Sequence, residues 1–158
     1  MQNNLIIRTA TDADKETVIA NQVASQEEEA SFHPSRQRGE AIRGVAWEMI
    51  HARQGIILVA EQHGQIIGHV GGAHALDASP FFLPEWQHYS LIFDLYILPD
   101  HRRKGIGSLL VHEMLKRLEA SGATRIRIVG LANNPAALAL YRAIGFAPYE
   151  VTMEKIVG

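Results

Sequence analysis

Apolar residues along the chain alternate between a spacing of two and a spacing of three or four, and each change marks an element. Leu5-Ile6-Ile7-Arg8 reads as a short strand, and Thr11 or Asp12 is placed to cap the helix after it. That helix carries Val18, Ile19 and Val23 and runs on into the polar Gln26-Glu27-Glu28-Glu29 before Pro34 interrupts it. A second helix is expected from about Ser35 to Arg53, where Ile42, Val45, Ala46, Met49 and Ile50 fall at helical spacing. Gly55 then opens a β region: Ile56–Ala60 and Ile66–Val70 form a hairpin around His63-Gly64. Asp77 to His88, with Ser79-Pro80 and Pro84, is an aromatic-rich loop, and Ser90–Leu98 is apolar enough for a central strand buried on both faces. A helix follows from about Gly107 to Ala120, with Ile106, Leu110, Met114 and Leu118 in one apolar line and Gly122 placed to end it. Arg125–Val129 is the next strand. Asn134 caps a helix with Pro135 in its first position and Gly145 at its close, and Glu150–Val157 reads as a last strand. No repeat or linker divides the chain, so residues 1–158 are expected to form a single α/β domain.

Composition narrows the function classes. Hydrophobic residues at 47% and charged residues at 20% match an ordinary globular protein. A net charge of -2 and a pI near 6.4 provide no broad positive field for nucleic acid or an anionic membrane. The chain has no cysteine, which excludes thiol nucleophiles and cysteine metal sites. Met1 to Asn4 is polar, and no apolar run approaches the roughly 18 residues of a membrane span, so a cytoplasmic enzyme is the default expectation. No metal is expected: His112-Glu113 lacks the second histidine of a zinc-protease motif, and His69 and His74 have no companion at ligand spacing.

The chemistry concentrates where the central strand meets the next helix. Arg102-Arg103-Lys104-Gly105-Ile106-Gly107 places three cations and two glycines at a helix start, whose free amides and dipole suit a phosphate. A structural turn is the alternative for so short a pattern. A Walker loop is absent, and Leu110 stands where a Rossmann fingerprint needs its third glycine.

These residues resemble the GNAT superfamily of N-acetyltransferases. Its Arg/Gln-x-x-Gly-x-Gly/Ala pattern is met by Arg102 to Gly107, after a strand similar to Leu95-Tyr96-Ile97-Leu98-Pro99. Its second signature, Asn-x-x-Ala-x-x-Leu-Tyr followed by Gly-Phe, is met by Asn134, Ala137, Leu140, Tyr141, Gly145 and Phe146. The element order resembles the family from Leu5 to Val157. The resemblance implies a mixed, mostly antiparallel central sheet flanked by helices, with a splayed central strand pair. It implies acetyl-CoA as cosubstrate, its pyrophosphate held by Arg102, Arg103, Lys104, Gly105, Ile106, Gly107 and Ser108. Its pantetheine arm would lie along Leu95, Tyr96 and Ile97 and touch Asn134. Tyr141 would sit near the sulfur as general acid, with packing on its own helix as the alternative. A homodimer is a family tendency.

The acceptor side is less defined. The resemblance implies a small-molecule primary amine bound near Glu28, Glu29, Phe32 and Phe93, with a peptide amine or a non-catalytic acyl-CoA-binding role as alternatives. Phe93 occupies the position where some members carry a basic glutamate, and it cannot accept a proton. Asp94 is the acid within the strand, but strict alternation points it away from the Phe93 and Leu95 face unless a bulge rotates it. It is a candidate base or a buried, hydrogen-bonded carboxylate; Glu85, His88 or a water chain are alternatives. The acidic run is either a negative wall for a cationic amine or a solvated face. Phe81, Phe82, Trp86 and Tyr89 are an aromatic wall or a clasp onto the core.

Overall fold

The computed structural model describes residues 4–158, so Met1–Asn3 of the polar start lie outside it. Five strands form one sheet in the order β1 (Leu5–Thr9), β2 (Ile56–Gln62), β3 (Gln65–Leu76), β4 (His88–Ile97) and β5 (Ile126–Ile128). The first three pairings are antiparallel, and β4 runs parallel to β5. His63 and Gly64 both take positive φ, at 52° and 77°, the turn whose twist matches a two-residue hairpin.

Helices cover both faces. On one, α4 (Ile106–Ala120) buries Ile106, Leu110, Met114 and Leu118 against Leu58, Ile67, Val70 and Ile92. On the other, α1 (Lys15–Phe32) and α2 (Val45–Ala52) bury Val18, Ile19, Trp47 and Ile50 against Ile57, Val59 and Phe93. The sheet is therefore a double-sided core, as its near-continuous apolar strands require. A short α3 (Pro84–Gln87) interrupts the aromatic loop, and α5 (Pro135–Ile144) follows β5.

Three expectations change. The helix expected over Ser35–Arg53 is divided: a 3-10 turn covers Gly39–Ile42, and α2 begins only at Val45. Gly44 takes φ 80°, a left-handed conformation that ends helical continuation. Side chains of α1 also compete for the backbone, since Glu27 accepts from the Gly39 amide at 2.7 Å and Gln26 donates to the Gln37 carbonyl at 2.8 Å. The strand expected over Glu150–Val157 does not form. Tyr149 stacks on Arg125 and Arg127, and Glu154 reaches His33 at 2.9 Å, so side-chain contacts rather than strand pairing hold the segment. β3 extends well beyond Val70, through glycines that hide it from a hydrophobic pattern but give room to neighbours; a Cβ on Gly72 would strike the Met114 sulfur.

Candidate active site

β4 and β5 part company halfway. They pair at Ser90–Ile126, Leu91–Arg127 and Ile92–Ile128, and no pairing continues beyond Ile92. The β5 side of Phe93–Ile97 is thus a free strand edge, the splayed pair expected from the sequence. Just before the gap opens further, β4 bulges. Gly71 pairs with Phe93 but His69 pairs with Tyr96, so Asp94 and Leu95 oppose Val70 alone. Asp94 carries the bulge with φ 59°, a conformation that aspartate tolerates better than most residues.

That extra residue decides which way every later side chain points. Ile92 and Leu95 face α4, whereas Phe93 packs on the α1 side. Asp94 shares the Phe93 side: its Oδ2 accepts from Gln22 Nε2 on α1 at 2.7 Å and from His69 Nε2 on β3 at 3.1 Å. His69 is fully buried and its Nδ1 has no partner among the described residues. The neutral tautomer that donates through Nε2 therefore fits this place, because a second buried N–H would be left unsatisfied. Asp94 Oδ1 accepts no hydrogen bond among the described residues. Asp94 was a candidate from the strand pattern, whereas Gln22 and His69 beside it lie on elements far away along the chain and gave no spacing signal.

Past the free edge stands the start of α4. The backbone amides from Arg103 to Ser108 have no acceptor among the described residues. Gly105 takes φ 79°, and a Cβ placed there would meet nothing within 4 Å, so the loop is open in front. A row of unpaired amides at a helix dipole's positive end is a fit for a pyrophosphate. Side chains behave differently from the expectation of a uniform cationic cluster. Lys104 Nζ turns to the Asp100 carbonyl at 2.9 Å. Arg102 binds the Ile97 carbonyl through Nε at 2.9 Å and Glu28 through Nη2 at 2.6 Å, with its guanidinium 5.3 Å from the centre of the Tyr96 ring. The Glu28 hydrogen bond raises the Arg102 pKa, and burial followed by the Glu28 charge raises that of Tyr96, so both keep their protons.

On the far wall of the gap, Asn134 caps α5 by accepting from the Ala137 amide at 3.2 Å. Tyr141, on α5, lies with its ring edge toward Phe146, 6.4 Å between centres. Burial, and then the charge of Glu29, push its pKa up, so the hydroxyl is protonated at neutral pH. That hydroxyl makes no hydrogen bond among the described residues. The end of α1 closes in from above, where Asn133 Nδ2 donates to the Phe32 carbonyl at 3.0 Å. Glu28, Glu29, Phe32, Phe93 and Asp94 are thus gathered on the α1 side of the sheet. The acidic run is no free negative wall: Glu27, Glu28 and Glu29 pair with Arg38, Arg102 and Arg36 respectively.

Comparison with known proteins bears on the family and the fold. The sequence model of the acetyltransferase (GNAT) family matches residues 21–146. A [ribosomal protein bS18]-alanine N-acetyltransferase of Salmonella typhimurium is 34% identical over 55 residues, covering 35% of this chain and 37% of that protein. An L-2,4-diaminobutyric acid acetyltransferase of Nocardia farcinica is 27% identical over 90 residues, covering 57% of this chain and 42% of that protein. The matches thus span well under two thirds of the length of these curated relatives. Among solved structures, a GCN5-related N-acetyltransferase from Ralstonia eutropha superposes with a TM-score of 0.73 at 20% identity, covering 98% of this chain and 99% of that one.

Proposed function

The chain belongs to the acetyltransferase (GNAT) family, and from that premise we propose that it moves an acetyl group from acetyl-CoA directly to a primary amine of a small molecule, in the cytoplasm. One observation carries the reading: the row of unpaired amides from Arg103 to Ser108 faces a gap whose other wall is the unpaired edge of β4. Acetyl-CoA supplies the activated acyl carbon; the chain's own residues do the rest.

The amides of the α4 loop hold the pyrophosphate, and the free edge beyond Ile92 takes the amide groups of the pantetheine arm as a strand would. An amide on that edge polarises the thioester carbonyl, whose oxygen gains charge as the amine attacks. The acceptor enters from the α1 side, over Phe93. An amine of ordinary pKa, near ~10.4, arrives protonated and must lose a proton before it can attack. Asp94 Oδ1 is the free acceptor for that proton, while Gln22 and His69 hold the carboxylate by its other oxygen. As the C–N bond forms and the C–S bond breaks, the departing sulfur takes the proton of the Tyr141 hydroxyl, and the phenolate left behind takes the second proton released by the acylated nitrogen. The burial that strengthens tyrosine's hold on its proton strengthens the sulfur's demand for one as well.

A small acceptor is supported by the aromatic loop, which lies folded against β5: Arg125 Nη1 donates to the Trp86 carbonyl, and Phe82 packs on both Arg125 and Arg127. The test is turnover of acetyl-CoA with a broad panel of primary amines, followed by release of free thiol. Amine-dependent release that falls sharply in Tyr141→Phe is expected. Tight acetyl-CoA binding without turnover on any amine would leave a binding domain instead of an enzyme.

A further inference from the structure

We propose that Arg127, backed by Arg125, forms a subsite for a carboxylate of the acceptor, so that the amine acetylated is amino-acid-like. The inference rests on the acetyltransferase reading above and names the substrate class of the same site.

Register places the subsite. Arg127 pairs with Leu91, while Ile126 and Ile128 on either side of it pack with the α4 core. Arg127 and Leu91 therefore share the opposite face, the one that carries Phe93 and Asp94. Leu91 stands two residues before Phe93, a separation of about 7 Å along a strand. An arginine at that position flanks the acceptor approach without crossing the sheet.

Burial sets Arg127 apart from Arg53, Arg103 and Arg142, which also form no ion pair among the described residues but are exposed. Arg8, Arg36, Arg38, Arg43, Arg102 and Arg117 all pair with a carboxylate, but half-buried Arg125 and Arg127 do not, among the described residues. Nε and Nη2 of Arg127 are shut away from water and donate to nothing among the described residues. Buried donors on a permanent cation left without an acceptor are costly, so such a place is expected to have an occupant. The pair of atoms matters. Nε–H and Nη2–H form one fork of the guanidinium, the arrangement that takes both oxygens of a carboxylate side-on. Two rings lie close to the same group, its central carbon 4.2 Å from the centre of the Tyr89 ring and 4.7 Å from that of Tyr149. Ring contacts of this kind supply no oxygen acceptor, so the fork's donors remain open to an anion.

Access needs little rearrangement. Tyr149 lies on the stretch after α5 that forms neither helix nor strand, and its side is open to solvent, so lifting the ring breaks no ladder. Charge on this side also leaves cations in excess at the subsite: each glutamate of the α1 run is matched by an arginine and Asp94 is the one carboxylate of the site without a cation, while Arg125 and Arg127 both lack a carboxylate partner among the described residues.

The experiment compares probes that differ only in the carboxylate: glycine with methylamine, and L-lysine with cadaverine. Binding is read from the nitrogen-15 resonance of the Arg127 Nε–H group in the full chain, which does not depend on turnover. Glycine or L-lysine is expected to shift that resonance and to bind about 10- to 100-fold more tightly than its decarboxylated partner. Arg127→Met should abolish the difference, and Arg127→Lys, which keeps the charge without the fork, should restore only part of it. Equal binding within both pairs, or no movement of the Arg127 resonance with either acid, overturns the subsite even where amines are acetylated. Carboxylate-dependent shifts without any acetyl transfer would instead sink the transferase reading and leave the subsite standing. If Arg127→Met does not fold, the wild-type resonance decides alone. Glycylglycine binding more tightly than either amino acid would place the carboxylate on a peptide and overturn the small-acceptor form of the proposal.

Discussion

His69 Nε2 lies 3.1 Å from Asp94 Oδ2, joining a fully buried imidazole on β3 to the one residue that the β4 bulge turns out of alternation. In the proposed reaction His69 is a positioning residue for Asp94. Asp94→Asn is expected to lower kcat/KM about 100-fold at neutral pH. The loss should shrink as pH rises toward the acceptor's own pKa, since a neutral amine needs no base. His69→Phe should give a smaller loss with the same pH trend, and His69→Gln, which can still donate, should recover part of it. A pH–rate profile of all three checks this; a loss independent of pH in Asp94→Asn would rule out the base.

Tyr141→Phe removes the hydroxyl and keeps the ring beside Phe146. A fall in kcat of about 100-fold is expected with acetyl-CoA affinity and melting temperature close to wild type. Calorimetric titration with CoA alongside the thiol-release assay separates this from packing, for which stability would fall and chemistry would not.

Gly105 holds φ 79° in front of open space, so a side chain there meets strain rather than a clash. Gly105→Val should cost about 1–2 kcal/mol if the loop keeps its shape, or reshape the loop and misalign its amides. Either way acetyl-CoA binding is expected to weaken about tenfold or more, with fold and melting curve largely retained. Binding of desulfo-CoA, which has the phosphates and no thioester, is the direct readout.

Away from the site, Asp14 accepts from Arg8 at 2.7 and 3.0 Å and from the Thr11 amide at 2.7 Å, and Arg8 also reaches Glu61. The Arg8 hydrogen bond holds the Asp14 carboxyl well below the usual carboxylate range. A depressed acid stabilises the fold above its unfolded pKa, near ~3.9, and that stability is lost as pH falls through the lower folded value. Asp14→Asn should therefore cost about 1–3 kcal/mol at neutral pH, a difference that fades on acidification below pH ~4. Urea melts of both proteins at pH 7 and pH 3 measure it.

Much of this architecture was legible in linear order. Helices α4 and α5, the hairpin at His63-Gly64 and the Asn134 cap rest on interactions between residues close together in sequence, and strands β1, β2, β4 and β5 show as apolar runs although β1–β2 and β4–β5 pair over long separations. Local signals failed where a distant segment competed. Glu27 and Gln26 claim the backbone before α2, and Tyr149 and Glu154 draw the last segment off the line of β5.

The glycine-rich and asparagine-led motifs, read in order, were enough to identify the family, and they name the loop proposed to hold phosphate, because helix starts and positive-φ turns are set by their own few residues. What Asp94 faces was not theirs to decide. A single inserted residue in β4 reverses the facing of a side chain, and only pairing with β3 reveals the insertion. The same holds for Arg127: whether a cation finds a carboxylate depends on which strands lie side by side. Tertiary structure left it among aromatic rings, with its buried fork lacking an acceptor among the described residues.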